Sequence, residues 1–125
     1  MPLRHLDPIG ADRFPALYDT WHECHTMTAL RQVLDGEPSA LRALILTGGD
    51  PALTNPNSGR VAAALSALDL LVVRDLFLSE TAALADYVLP AASFLERGDF
   101  HVHPETRSIT LSRPVLRLPG VQTEY

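Results

Sequence analysis

An apolar run that breaks into a glycine-rich and proline-rich loop is the strongest pattern in the chain. Residues 43–46 are short and continuously apolar, which is typical of a parallel strand covered on both faces. Gly48 and Gly49 follow, and since neither carries a Cβ, the backbone there can turn sharply or approach a ligand closely. A strand, a glycine turn and the start of a helix in this order form a corner that favours anions.

Further patterns predict the elements that follow this loop. Three apolar residues recur at helical spacing (Val61, Leu65 and Leu68), with Asn57 or Ser58 available as the N-cap. Apolar runs at residues 70–73 and 88–89 predict two more strands, and Ser79 can cap a short helix over residues 80–84. Helical crossovers of this length imply parallel strands with right-handed connections.

The flanks of this core have a different character. Prolines and scattered aromatics indicate an irregular N-terminal arm with a short helix at residues 15–21. Thr26 or Thr28 is available to cap a second helix that Gly36 ends. Apolar residues on both sides of residues 104–107 predict a hairpin, followed by an extended tail.

These elements predict one α/β domain, a Rossmann-like three-layer arrangement with a short parallel sheet, over residues 1–125. We expect three parts within it. Residues 1–40 form the N-terminal arm and helix, residues 41–92 form a nucleotide-binding β-loop-α-β-α-β core, and residues 93–125 form a C-terminal hairpin and extended tail.

Composition and charge exclude several classes of function. The net charge of -5 and the scatter of ten basic residues, all arginine, argue against a nucleic-acid surface. One cysteine, Cys24, excludes an internal disulfide and any CxxC-type zinc or iron-sulfur site. The sequence has neither the pattern of a secretory signal nor an apolar run of about 18 residues, so we expect no membrane span. The cellular location does not follow from these features.

Asp75 is the strongest candidate for ligand binding. It lies at the end of the second predicted strand, 26 residues beyond Gly49, and ligands bind at the carboxyl ends of strands in open α/β sheets. A carboxylate accepts two donors at once, so it suits a ribose diol or the N1 and N2 donors of a guanine. A solvated aspartate at a strand end is the alternative.

Other polar residues are weaker candidates. His22, Cys24 and His25 lie close together, but the spacing provides no third metal ligand on one helical face. His101 and His103 are expected to share one side of a strand as a surface pair. Five carboxylates are placed around the presumed ligand edge, where we interpret them as caps and solvated groups apart from Asp75: Asp50, Asp75, Glu80, Asp86 and Glu96. No catalytic residue and no metal ligand is assigned.

Three segments, in order and with matching spacing, resemble the molybdopterin oxidoreductase family. They are residues 48–56 (GGDPALTNP), 71–82 (LVVRDLFLSETA) and 85–92 (ADYVLPAA). The match covers residues 9–97 well. The run Arg97-Gly98-Asp99-Phe100-His101 and the arm at residues 9–15 are more similar to the polysulfide and thiosulfate reductase branch.

This resemblance implies a cofactor and a set of binding residues. The cofactor is molybdopterin guanine dinucleotide with molybdenum or tungsten, bound in the full-length enzyme, and none is expected to bind tightly to this chain alone. The resemblance implies that Gly48, Gly49, Asp50 and Pro51 form the loop for the pterin dinucleotide, with Asp50 where the family usually has Asn. It assigns Asp75 to guanine recognition. The remaining implied residues shape the next loop: Phe77, Ser79 and Thr81.

The resemblance also implies partners. The family's iron-sulfur cysteines and metal ligand lie in segments outside this chain, so we expect the remaining domains of a larger oxidoreductase, an iron-sulfur domain among them. The chain alone is then expected to be catalytically inactive, and exposed apolar surface suggests self-association. The alternative is a stand-alone nucleotide-binding or interaction module that has lost the cofactor.

Overall fold

A computed structural model describes residues 9–36, 41–117 and 119. The core is a three-stranded parallel sheet of β1 (Ala43–Thr47), β2 (Leu70–Asp75) and β3 (Tyr87–Pro90), in the order β1-β2-β3. A two-stranded antiparallel sheet follows, made of β4 (Asp99–His103) and β5 (Ser108–Ser112). The predicted α/β class and the short parallel sheet are confirmed.

In the described part of the chain, four helices accompany the strands. They are α1 (Pro15–Trp21), α2 (Thr26–Asp35), α3 (Pro51–Thr54) and α4 (Ser58–Ser66). A 3-10 turn, Ala82–Leu84, stands where a short helix over residues 80–84 was predicted. Among the described residues, none of the helices has the length and hydropathy that crossing a bilayer requires.

Local signals explain where the helices begin and end. Pro15 opens α1 at a position that tolerates proline, as predicted. Gly36 ends α2 in the left-handed region, at φ 74°, where its N–H donates to the Gln32 carbonyl. The expected threonine cap of α2 is wrong, because His25 is the N-cap and its side chain makes no capping hydrogen bond. Of the two predicted N-caps of α4, Asn57 and Ser58, the structure has Asn57, whose side chain accepts from the Arg60 N–H.

The hydrophobic core lies between these helices and one face of the parallel sheet. Val61, Ala64 and Leu65 of α4 pack against Leu71 and Val73 of β2, and all five are buried. Leu71 and Val73 share the buried face because successive side chains of a strand point to opposite faces of the sheet. Burial of these apolar side chains stabilises the fold and fixes the register of the sheet.

The opposite face of the sheet is open in the described part of the chain. Ile45, which is 71% exposed, is paired with Val72 of β2, and Val72 is paired in turn with Tyr87 of β3. The continuously apolar sequence of β1 is typical of a strand that is covered on both faces. The described helices, however, pack on only one face of the sheet. Any layer on the open face therefore comes from outside the described residues. The division of the chain into three parts stays a prediction.

The C-terminal hairpin confirms the prediction made from its apolar pattern. Phe100 is paired with Leu111, and Val102 with Ile109, so four apolar side chains share one face. All four are exposed. His101 and His103 share the other face, as expected from the alternation along a strand. Beyond residue 117, the predicted tail lies outside the described residues except for residue 119.

Candidate functional site at the carboxyl edge of the sheet

All eight residues predicted to bind a ligand lie on two neighbouring loops. Because the three strands are parallel, their carboxyl ends meet at one edge, where Asp75 of β2 is in register with Pro90 of β3. The loop after β1 carries four of the residues (Gly48, Gly49, Asp50 and Pro51), and the loop after β2 begins at Asp75 and carries the others (Phe77, Ser79 and Thr81). The fold therefore brings together two segments that are about 25 to 30 residues apart in sequence.

The glycine turn presents backbone donors. Gly48 adopts φ 63°, which glycine accommodates without strain, and its N–H donates to the Arg74 carbonyl at 2.9 Å. A side chain at Gly49 would meet no atom within 4 Å, so the space beside this residue is open. Within the described residues, the N–H groups of Gly49 and Asp50 have no hydrogen-bond partner. These two donors are available to an anionic ligand.

Asp50 connects this turn to the loop after β2. Its Oδ1 atom accepts hydrogen bonds from the Thr81 backbone N–H, at 3.1 Å, and from the Thr81 hydroxyl. The Thr81 Oγ1 atom in turn accepts from the Ala52 N–H at 3.0 Å, and Thr81 is 0% exposed. We refer to the side chains of Asp50 and Thr81 and the N–H of Ala52 as the loop clamp.

The clamp changes the acidity of Asp50. The hydrogen bond from the Thr81 hydroxyl holds the pKa of Asp50 below its ordinary value, against an opposing effect of burial. The backbone N–H groups of Thr81, Leu53 and Glu80 lower the pKa further. The negative charge of Asp50 is thus balanced within the protein by donors of both loops.

Pro51 is buried and begins α3, a single turn that the sequence analysis missed. A proline directly after a potential cap is the signal that could have identified this turn. Thr54 closes it, because the Thr54 hydroxyl donates to the Asp50 carbonyl at 2.8 Å. Pro51 therefore shapes the loop through packing.

Asp75 has the geometry of an oriented acceptor. Its Oδ1 atom accepts from the backbone N–H groups of Leu76, at 2.6 Å, and Phe77, at 3.3 Å. These bonds form a local turn that fixes the carboxylate plane. Within the described residues the second oxygen, Oδ2, has no hydrogen-bond partner. Asp75 therefore keeps acceptor capacity for a ligand.

The loop after Asp75 exposes an aromatic side chain and orders itself with a serine. Phe77 is 78% exposed and lies two residues from Asp75. The Ser79 hydroxyl accepts from the Ala82 N–H at 3.2 Å, although the residue that precedes the 3-10 turn is Thr81 and not the predicted Ser79.

Two of the other carboxylates accept hydrogen bonds from backbone N–H groups. Glu96 accepts from the Ser93 N–H at 2.9 Å, in agreement with the interpretation as a cap. Asp86 accepts from the Leu71 N–H at 2.7 Å. Leu71 lies near the amino end of β2, and Asp86 directly precedes β3. Asp86 is thus at the opposite edge of the sheet, and its expected place at the ligand edge is wrong.

The histidines near Cys24 pack against aromatic rings. His25 is stacked on Phe14 with ring centroids 4.7 Å apart, and His22 meets Tyr18 edge to face. Burial raises the pKa of the Cys24 thiol. Over residues 9–36, 41–117 and 119, no group of three His, Cys, Asp or Glu side chains could hold a metal ion.

A cavity of about 250 Å³ lies away from the predicted site and contains three arginines, Arg13, Arg31 and Arg60. None of the eight predicted residues lines it. Asp35 neutralises part of its charge, because its carboxylate accepts from Arg31 at 2.6 Å and pairs with Arg60 at 3.2 Å. The hydrogen bond from Arg31 lowers the pKa of Asp35. The sheet edge, where free backbone donors and an oriented carboxylate are combined, is the candidate ligand site.

Comparison with known proteins points to one family. Residues 26–123 match the family model described as molybdopterin oxidoreductase. The chain is 38% identical over 93 residues to the F420-dependent formate dehydrogenase subunit alpha of Methanocaldococcus jannaschii, covering 74% of this chain and 14% of the relative. It is 37% identical over 91 residues to the assimilatory nitrate reductase catalytic subunit of Bacillus subtilis, covering 73% and 12%.

A solved structure has a similar fold. Acetylene hydratase from Pelobacter acetylenicus superposes with a TM-score of 0.71 at 25% sequence identity, over 82% of this chain and 14% of that one. The chain thus spans about one seventh of the length of the relatives that it matches.

Proposed function

Because this chain belongs to the molybdopterin oxidoreductase family, we propose that it binds the guanine nucleotide end of a molybdopterin guanine dinucleotide. The relatives imply a molybdenum or tungsten pterin cofactor. Since the chain corresponds to a fragment of a larger oxidoreductase, we propose that the reaction is carried out by residues outside it. The branch of the family stays a prediction.

The oriented carboxylate of Asp75 is the observation that carries this proposal. Guanine presents two adjacent donors, N1–H and the N2 amine, and the free Oδ2 of Asp75 can accept from this edge of the base while Oδ1 keeps its backbone hydrogen bonds. Because Oδ1 already accepts from Leu76 and Phe77, the carboxylate is held in place before a ligand arrives. The exposed ring of Phe77 offers a surface on which a base can stack.

The glycine turn supports the same proposal from the phosphate side. The N–H groups of Gly49 and Asp50 lie on the loop between β1 and α3, next to open space. Backbone donors of this kind hold phosphate oxygens without adding side-chain bulk. A nucleotide that reaches from Gly49 to Asp75 would contact both loops. Pro51, Ser79 and Thr81 would then support the loops.

Nucleotide selectivity tests the proposal. The full 125-residue chain is titrated with GMP, IMP and AMP, and thermal unfolding is followed. We expect stabilisation in the order GMP, IMP, AMP, because IMP lacks the N2 donor and AMP lacks both. At about ten times the Kd, GMP would contribute about 1.4 kcal/mol, or roughly 6 °C.

Asp75→Ala is the decisive variant, with Glu80→Ala as the matched control at an exposed carboxylate of the same loop. We expect Asp75→Ala to abolish the preference for GMP and Glu80→Ala to retain it. No stabilisation of the wild-type chain at millimolar GMP, or an equal response of Asp75→Ala, would contradict the proposal and favour a module that has lost the cofactor.

The open sheet face suggests where the rest of the protein lies. Ile45, Val72 and Tyr87 form an apolar row on a parallel sheet, and such sheets are normally covered on both faces. We propose that other domains of the longer oxidoreductase cover this face, an iron-sulfur domain among the candidates. Self-association through exposed apolar surface stays a prediction for the chain alone.

A further inference from the structure

We propose that Asp50 and Thr81 are positioning residues that hold the two ligand loops in one geometry, so that nucleotide affinity depends on the Thr81 hydroxyl. This inference rests on the proposed function, since it concerns the same site. It gives the side chains of Asp50 and Thr81 a role that needs no contact between them and the nucleotide.

The contacts of the loop clamp cross between the loops. Asp50 and Thr81 are 31 residues apart in sequence, and Ala52 and Thr81 are 29 apart. The Thr81 hydroxyl has a single proton, which it donates to Asp50, while it accepts from the Ala52 N–H. The hydroxyl is thus engaged as donor and as acceptor at once, and its rotation is fixed. One side chain joins the turn before α3 to the loop after β2.

Burial makes these contacts costly to lose. Thr81 is fully buried and Ala52 is also buried, so water cannot replace the missing partner at either group. Removing the hydroxyl leaves the Ala52 N–H without an acceptor in the protein interior. The chain can relieve this only by moving the two loops apart.

Separation of the loops would affect binding more than folding. Gly49 lies directly before Asp50, and Asp75 begins the loop that contains Thr81. The proposed phosphate donors and the proposed guanine acceptor are therefore on the two loops that the clamp joins. A ligand that contacts both loops must then bring them back to their original spacing. The free-energy cost of ordering the loops lowers the affinity for the ligand.

The test compares Thr81→Val, which keeps the shape and removes the hydroxyl, with Thr81→Ser, which keeps the hydroxyl. Amide hydrogen exchange of Ala52 is measured on the full chain without ligand, and the Kd for GMP is measured by calorimetry. In Thr81→Val we expect Ala52 to exchange about tenfold faster and GMP to bind about tenfold more weakly. Thr81→Ser should restore both values to within about threefold of wild type.

A second pair of variants covers the case in which Thr81→Val does not fold. Asp50→Ala removes the acceptor while the Thr81 to Ala52 hydrogen bond stays, and Asp50→Asn keeps an acceptor oxygen in place. We expect Asp50→Ala to weaken GMP binding and Asp50→Asn to preserve it. Equal affinities in these two variants would overturn the role of Asp50.

The outcomes separate this inference from the proposed function. Unchanged Ala52 exchange in Thr81→Val would show that the hydroxyl does not couple the loops. Faster exchange with an unchanged Kd for GMP would show that the coupling does not position the nucleotide. If the wild-type chain fails to bind GMP, the proposed function falls and the positioning role falls with it, while Ala52 exchange still reports whether the loops are joined.

Discussion

Aspartates in this chain differ in role according to the backbone groups that they meet. Asp86 accepts from the Leu71 N–H at the amino end of β2 and is a structural cap. Asp50 accepts from Thr81 and joins two loops. Asp75 uses Oδ1 for the turn that follows it and leaves Oδ2 available. Residue type alone would make the three equivalent, and only the third combines a strand end with free acceptor capacity.

The depressed pKa of Asp50 predicts how acid affects stability. An aspartate in an unfolded chain titrates near a pKa of about 3.9. Because the pKa of Asp50 is lower in the folded state, its charged form stabilises the fold above that value. This contribution is lost as the pH falls through the folded-state pKa.

Asp50→Asn provides the measurement. The asparagine Oδ1 atom can still accept from Thr81, so we expect folding at pH 7 with a change of at most about 1 kcal/mol. Urea unfolding between pH 7 and pH 3 should then show a smaller loss of stability in the variant than in wild type. A parallel loss in both proteins would mean that Asp50 does not titrate differently in the folded state.

Among the elements, α4 shows how an N-cap residue can determine where a short helix begins. Asn57 is the N-cap, with φ 59° in the left-handed region, and its side chain accepts from the Arg60 N–H at 3.4 Å. Asparagine tolerates this conformation better than most residues. The helix carries three of the buried core residues, so its start sets the packing of the sheet: Val61, Ala64 and Leu65.

Substitution of Asn57 separates the two contributions. Asn57→Ala loses the cap and strains the backbone, and we expect it to reduce the free energy of unfolding by about 1–3 kcal/mol. Asn57→Gly keeps the backbone relaxed, so its cost should be a few tenths of a kcal/mol. Urea unfolding of both variants decides the point. An equal cost for alanine and glycine would exclude backbone strain at this position.

How much of the structure was predictable depends on whether its signals are local. The bounds of α1, the glycine stop of α2 and the hairpin follow from prolines, glycines and alternating apolar residues in one short segment. The loop clamp could not be predicted, because it joins Asp50 to a residue 31 positions away. The open oxygen of Asp75 could be proposed from its place at a strand end, but its orientation required the backbone of Leu76.

At the scale of the whole molecule, the chain combines two neighbouring loops, a parallel sheet that helices cover on one face, and a hairpin with an exposed apolar face. Ile45 and Phe100 represent the apolar surfaces that remain uncovered in the described residues. The chain corresponds to about 14% of the length of a related formate dehydrogenase subunit. These features are consistent with one wall of a cofactor site whose other wall lies in a different part of a larger oxidoreductase.

Mapping of the GMP site by NMR tests this account most directly. In a titration of the ¹⁵N-labelled chain, we expect the largest amide shifts at Gly49, Asp50, Leu76 and Phe77, with smaller shifts at Thr81. Perturbations centred instead on the cavity with Arg13, Arg31 and Arg60, or no perturbation at millimolar GMP, would contradict the assignment of guanine recognition to the carboxyl edge of the sheet.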